Sequence, residues 1–335
     1  MNVAVLGLGF MGSTHLKAWK SVPGVRIAAV MSSDEKKLSG DLTSIEGNLG
    51  GPGERFDFSE VRKCRSLEEV LTLDIDAVDI CLPTHRHAGV AMEALGAGRH
   101  VLLEKPMALS FEAAEEIHYA AGENDRILMV AQVLRFVPAY RAAADWMQGA
   151  GSIYSAAFRR RCAAPAWSGW LADKSRSGGG VFDLLIHDAD FCISLWGMPD
   201  AVRATGYEDP AAGVDVIHAE LSYARRPPVV ISGGWHHPKS YPFSMDFTLV
   251  SEAGTLEWSS SDSNGPRAYL NSGETSQLPI GDTDPFVAEL SYFAECVREK
   301  RQPDKCPPEQ SAQAVAVMLS MLESRERNGE IVRTV

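Results

Sequence analysis

With 335 residues, 45% of them hydrophobic and 23% charged, the chain is long enough for about two domains whose cores need no disulfide or metal staple. Its net charge of −12 leaves no basic footprint for nucleic acid and argues against adhesion to an anionic membrane. No apolar run approaches the ~20 residues of a membrane span, so neither nucleic acid nor a membrane is expected as a partner. Residues 2–6 already read as a strand rather than as a basic and then apolar leader, so no leader is expected. The six cysteines are dispersed with no CxxC pair, so a reduced, cytoplasmic setting is expected.

In chain order, residues 2–6 read as an apolar strand. Gly7-Leu8-Gly9-Phe10-Met11-Gly12 follows, then a helix over 13–20 and a second strand over 25–30. A lone GxGxxG is weak. This one stands after a strand and before a helix, which is the context of the dinucleotide fingerprint. In that role Gly7 permits the tight turn, Gly9 lets a pyrophosphate approach the backbone, and Gly12 packs helix on sheet. The phosphates rest on the helix N-terminus, and Phe10 and Met11 join the glycines as cofactor-binding candidates.

The acidic residue that holds a ribose 2′-hydroxyl usually comes about 20 residues later. Here Ser32 takes that place, followed by Ser33, Asp34, Glu35, Lys36 and Lys37. Serines with nearby lysines suit a 2′-phosphate, which favours NADP over NAD and makes Ser32, Ser33 and Lys36 the contacts. The blander alternative is that Lys36 and Lys37 form a solvated helix face.

Residues 39–55 are glycine-rich and read as a loop or broken helix. Ser66-Leu67-Glu68-Glu69 fits a capping box opening a short helix. Strand-like segments over 76–82, 99–103 and 127–133 alternate with helical ones over 86–96 and 110–122, the pattern of a parallel sheet covered on both faces. Ligands of such sheets bind at the carboxyl ends of the strands. Two of those ends carry polar residues, Pro83-Thr84-His85-Arg86-His87 and Glu104-Lys105-Pro106. Pro83, Thr84, His87, Glu104 and Lys105 are therefore further cofactor-binding candidates. Lys105 would set a cation beside the nicotinamide, and the proline after it restricts its backbone, with a cis bond open to it. In isolation Lys105 reads as a surface lysine.

Further on, Gly178-Gly179-Gly180 opens a run to Asp190 that turns apolar with polar residues at helical spacing. The glycines let the backbone come close to a neighbour. Asp183 and His187 are spaced i, i+4 and share one helix face. A carboxylate beside an imidazole can hold a proton-transfer group in place. Taken alone, the pair reads as part of a buried helix whose Asp and His satisfy each other. Trp167 and Trp170 can stack on a sugar ring or anchor a loop to the core. Arg159, Arg160 and Arg161 alternate faces on a strand. His85 with His87, His236 with His237, and His187-Asp188-Ala189-Asp190 form no recognisable ligand set, so no metal is expected.

An ordered set of segments then resembles the Gfo/Idh/MocA family of oxidoreductases, the glucose–fructose oxidoreductase and inositol dehydrogenase group. The set is Gly7 to Gly12, residues 87–106 (HAGVAMEALGAGRHVLLEKP), Arg135-Phe136-Val137-Pro138-Ala139-Tyr140, the run 178–190, and closing helical segments from Asp284-Pro285-Phe286 to Leu322-Glu323-Ser324. The likeness covers nearly the whole chain. It implies an α/β protein with a Rossmann NAD(P)-binding domain over 1–125. An α+β substrate-binding and oligomerisation domain over 126–335 would follow, built on a large, mostly antiparallel sheet whose outer face joins a homodimer or homotetramer. Strand-like segments over 152–162, 201–206, 215–223, 229–235, 245–251 and 255–258 agree with this, and amphipathic helices over 286–301 and 308–328 would cover the structure.

The resemblance further implies an NAD(P)-dependent dehydrogenase or reductase acting on a hydroxyl or carbonyl of a sugar, inositol or related polyol. Lys105, Asp183 and His187 match the family's lysine and its Asp–His pair. His187 would take the proton of a substrate hydroxyl, Asp183 would orient or charge-couple the imidazole, and Lys105 would stabilise negative charge on the reacting oxygen. Arg135, Trp167 and Trp170 join Asp183 and His187 as substrate contacts. Ser32 departs from the family's NAD-using pattern. Some relatives hydrolyse glycosidic bonds through transient internal oxidation, and one is a regulator that binds cofactor without turnover. Retention of Lys105, Asp183 and His187 argues against the regulator.

Overall fold

The computed structural model describes residues 1–47, 53–165 and 168–334. Among them the chain divides into two compact units, Met1–Gln132 with Asp284–Ala312, and Val133–Thr283 with Gln313–Val335.

The first unit is a six-stranded sheet of β1 (Asn2–Leu6), β2 (Arg26–Met31), β3 (Arg62–Cys64), β4 (Ala77–Ile80), β5 (His100–Glu104) and β6 (Leu128–Ala131), all parallel, in the order β3-β2-β1-β4-β5-β6. That is the strand order of a dinucleotide-binding sheet, with its reversal between β1 and β4. The strands NVAVL, AVDI and LMVA are buried almost throughout, as a parallel sheet covered on both faces requires.

The crossovers carry α1 (Phe10–Trp19), α2 (Glu35–Leu38), α3 (Leu67–Leu71), α4 (His87–Gly96) and α5 (Phe111–Glu123). Ser66 Oγ accepts the Glu69 N–H as the sequence predicted, while the Glu69 carboxylate reaches back to the N–H of Arg65 rather than Ser66. Sequence reading had no sign of β3, which has three residues, two of them exposed, and so no apolar run to detect. The Lys105–Pro106 bond is cis.

The second unit opens with α6 (Pro138–Gly149), β7 (Ile153–Cys162), α7 (Lys174–Ser177) and α8 (Gly180–Trp196). Strands β8 (Ala201–Asp209), β9 (Val214–Tyr223), β10 (Arg226–Trp235), β11 (Ser244–Ser251), β12 (Gly254–Ser259), β13 (Arg267–Leu270) and β14 (Thr275–Gln277) follow. The chain then returns to the first unit with α9 (Pro285–Glu299), continues through α10 (Pro308–Glu326) and ends in β15 (Val332–Arg333). The nine-stranded sheet has the order β14-β13-β12-β11-β7-β10-β9-β8-β15. Only β7 and β10 pair in parallel, so the sheet is mostly antiparallel. Strand β9 shows the period of two: Asp215, Ile217, Ala219 and Leu221 are buried while His218 and Glu220 are exposed. Helix α8 packs against β7, β9 and β10.

The unit boundary differs from a single cut after residue 125. Strand β6 completes the parallel sheet beyond that point. Helix α9 packs on α1, with the Phe293 ring edge-on to Trp19 at 6.5 Å. The amphipathic pattern showed that α9 covers something, but not what.

The three glycines before α8 have separate reasons. Gly178 ends α7 in the left-handed conformation (φ +83°), and Gly179 also has positive φ (+95°), where only glycine is unstrained. A Cβ on Gly180 would stand 2.5 Å from the Trp235 ring. Gly180→Ala is therefore expected to destabilise the fold by about 1–3 kcal/mol through overpacking, read as a lower denaturation midpoint. Gly98→Ala, at a positive-φ turn with open space around it, is the comparison, since it tests backbone strain without a clash.

Candidate active site

In the first unit the candidate cofactor residues gather at the carboxyl ends of β1, β4 and β5. Gly7 has φ +97°, and a Cβ there would stand 2.6 Å from the Cys81 carbonyl; a Cβ on Gly12 would stand 1.9 Å from the Gly7 carbonyl. Both positions thus require glycine, one for the turn and one for helix–sheet packing. A Cβ on Gly9 would meet nothing within 4 Å, so its space is open. Phe10 and Met11 begin α1, half-buried, and the first turn has neither a side-chain cap nor an acidic residue. Helix N–H groups without such a partner favour an anion. Beside them, after β4, Thr84 is 2% exposed and its Oγ1 has no hydrogen-bond partner. These features fit the dinucleotide that the fold implies.

At the ribose end the acidic residues are already engaged. Asp34 caps α2, its Oδ1 accepting the N–H groups of Lys36 (2.9 Å) and Lys37 (3.2 Å). Glu35 pairs with Arg65 at 2.7 Å. Ser32 Oγ accepts the Asp34 N–H, while Ser33 and Lys36 are exposed. Sequence reading missed Arg65. The Ser32 N–H donates to the Cys64 carbonyl at 3.2 Å, so pairing of β2 with β3 brings Arg65 to this end, and no local pattern announces it.

Two residues expected at the cofactor are occupied elsewhere. Glu104 is 5% exposed; its Oε1 lies 3.0 Å from His15 Nε2, off line for a good hydrogen bond, and its Oε2 accepts the N–H of Lys105 at 3.1 Å. His87 is 1% exposed, with Nδ1 2.7 Å from the Pro106 carbonyl and Nε2 2.7 Å from the Leu82 carbonyl. Both side chains are turned to these internal partners. Both brace the segment that carries Lys105, which is itself half-buried.

His15, on α1, has no exposed surface. Its Nδ1 lies 3.0 Å from Asp79, which also accepts the indole N–H of Trp19 at 2.7 Å. Burial alone would lower the imidazole pKa, but Asp79 and the neighbouring Cys81 hold it well above the ordinary value. Among the described residues His15, Asp79 and Cys81 are also the one trio with clustered metal-ligand atoms; their hydrogen bonds account for the clustering.

In the second unit Asp183 and His187 lie on α8. From Gly180 to Ile193 every residue of that helix except these two is buried. The helix is fixed about its axis by two buried ion pairs. Arg135 grips Asp190 at 2.7 and 2.6 Å, and Arg160 grips Asp188 at 2.8 and 3.1 Å. Arg135 was expected to contact substrate; its guanidinium is instead turned into the core toward Asp190. Asp215 of β9 serves α8 as the N-terminal cap that Gly179 lacks, its Oδ2 accepting the Val181 N–H at 2.8 Å. Trp170 packs on the cluster of Cys162, Leu171, Leu184 and Trp235, which is the loop-anchoring role. Trp167 lies outside the described residues. Lys105 belongs to the first unit, Asp183 and His187 to the second.

The family comparison agrees with this architecture. Residues 1–132 match the family model described as "Oxidoreductase family, NAD-binding Rossmann fold", and residues 141–257 match the GFO/IDH/MocA C-terminal domain. The chain belongs to the Gfo/Idh/MocA family of oxidoreductases.

Among relatives, a 4-carboxy-2-hydroxymuconate-6-semialdehyde dehydrogenase of a Sphingobium species is 30% identical over 141 residues, 42% of this chain and 41% of that protein. A levoglucosan dehydrogenase of Pseudarthrobacter phenanthrenivorans is 28% identical over 220 residues, 61% of this chain and 53% of that protein. The matched part thus spans about half or less of these relatives. The solved structure of a levoglucosan dehydrogenase in complex with NADH has a TM-score of 0.86 at 18% identity, covering 100% of this chain and 99% of that one, which shows a shared fold.

His15→Ala is expected to cost about 3–5 kcal/mol at neutral pH, because it leaves buried carboxylates without their cation. With a raised folded pKa, the imidazolium's contribution is complete below the ordinary 6.5 and lost as pH rises through the folded value. The gap between wild type and variant in denaturant titrations should therefore narrow at alkaline pH.

Proposed function

We propose that the chain is an NAD(P)-dependent dehydrogenase or reductase that interconverts a hydroxyl and a carbonyl on a sugar, inositol or related polyol. The observation that carries this reading is α8, a helix pinned by buried charges on which Asp183 and His187 are the two residues from Gly180 to Ile193 that are not fully buried. A bound nicotinamide supplies the hydride acceptor or donor. His187 accepts the hydroxyl proton, Asp183 orients its ring, and Lys105 stabilises negative charge on the substrate oxygen. The name of the levoglucosan dehydrogenase supports a sugar-like substrate; that of the semialdehyde dehydrogenase supports dehydrogenation more generally.

A screen of sugars and polyols with NAD and NADP, read at the absorbance of reduced nicotinamide, tests the reaction. Release of an aglycone with no net reduced cofactor would overturn it in favour of glycoside hydrolysis. On a substrate so found, Lys105→Met and His187→Asn should each lower turnover by about 10²-fold or more while cofactor affinity is kept. Near-normal turnover in both would refute the assignment.

The cofactor is proposed to be NADP. Asp34 and Glu35 are engaged by α2 and by Arg65, Ser33 and Lys36 are exposed near the end of β2, and the Lys36 ammonium is held only at 3.9 Å from Asp41. Ser32→Asp should weaken NADPH binding in a fluorescence titration, because a carboxylate would face the 2′-phosphate. Tighter binding of NADH than NADPH by the unmodified chain would reverse the choice.

A homodimer or homotetramer is proposed through the open face of the nine-stranded sheet, where Tyr207, Val230 and Tyr269 are exposed. A cytoplasmic setting is proposed with it, in keeping with six free cysteines.

A further inference from the structure

The His87 ring stands between two main-chain carbonyls, those of Leu82 and Pro106, each 2.7 Å from a different ring nitrogen. A carbonyl oxygen only accepts. Two such contacts are both hydrogen bonds only when both nitrogens carry protons. A neutral ring satisfies one and turns a lone pair on the other, in a place where the ring is 1% exposed and the mismatch is costly. The two carbonyls are not incidental. Leu82 leads into Pro83 and Thr84, whose Oγ1 is buried without a partner, and Pro106 follows Lys105.

We propose that His87 is a positioning residue for Lys105: its imidazolium ties the Pro106 segment to the Leu82–Thr84 segment, and its neutral form releases one of the two ties. The inference rests on the reading of Lys105 as a catalytic residue. The charged groups that face His87 are Glu104 and Lys105, both at the end of β5, and Glu104 is in turn held by His15 of α1. Burial lowers the ring's affinity for a proton, and the Lys105 ammonium adds to this; the two carbonyls and Glu104 oppose it, and the balance lies below the ordinary value. The exchange between one tie and two therefore falls on the acid side of neutrality, next to the range in which an imidazole such as His187 would work as a base.

The test is a nuclear magnetic resonance titration of the isotope-labelled full chain without ligand, from about pH 5 to about pH 9. The His87 ring is assigned through its own couplings, so the result does not depend on a variant folding. Both ring nitrogens should be protonated at the acid end and one should lose its proton on titration, with the backbone amides of Thr84 and Lys105 shifting at the same midpoint. A ring held in one protonation state throughout, or amides that do not follow it, would overturn the proposal.

With a substrate from the screen, His87→Leu, which donates to neither carbonyl, should lower kcat about tenfold while changing NADPH affinity less than about twofold. Unchanged kcat would also overturn it. Absence of any redox activity with intact amide coupling would instead refute the catalytic reading of Lys105, which distinguishes the two failures.

Discussion

A charged imidazole with no exposed surface holds the candidate cofactor end of the first unit in place. His15 comes from the helix that begins at the glycine turn, Asp79 from β4, and Glu104 from the last position of β5. Their mutual attraction in a dry interior joins α1 to the two strand ends beside it. Glu104 then accepts the Lys105 N–H, so the same cluster fixes the main chain at Lys105. Buried ion pairs add little net stability, since desolvation offsets the attraction, but losing one partner is costly. Such a cluster therefore defines an arrangement more than it strengthens one.

The second unit repeats this principle. Helix α8 is buried along most of its length, and apolar contacts alone let a helix on a sheet settle among similar packings at small cost. The Arg135–Asp190 and Arg160–Asp188 pairs remove that freedom, because each guanidinium meets its carboxylate through two hydrogen bonds at fixed angles. The rotation they select leaves Asp183 and His187 outside the core. Gly180 against Trp235, and Asp215 at the helix N-terminus, fix where the helix starts.

Three candidate ligand contacts are held by partners inside the protein. Arg135, Glu104 and His87 are polar residues in motifs, and sequence reading assigned each to a ligand. The structure gives each an internal partner: Asp190, His15 with the Lys105 amide, and two carbonyls. A polar residue near a site either meets the ligand or holds what meets it, and the two roles have the same local sequence. Exposure separates them, and exposure is a property of the folded chain.

The sequence alone determined the order of elements in the first unit apart from β3, because apolar strand runs, the GxGxxG turn and helix caps are local and each acts through its own few residues. It determined strands β7 to β12 of the second unit in the same way, though not the short β13, β14 and β15, and it placed Asp183 and His187 on one helix face. What it left open was decided by contacts between distant segments. Pairing of β2 with β3 brings Arg65 to the end where Ser32 lies. The packing of α9 on α1 returns residues from beyond 283 to the first unit. The pairing of buried charges sorts residues that hold the site from those left open in it. These depend on which surfaces meet once the chain is compact, and burial, ion pairing and strand register have no fixed sequence spacing from which to be read.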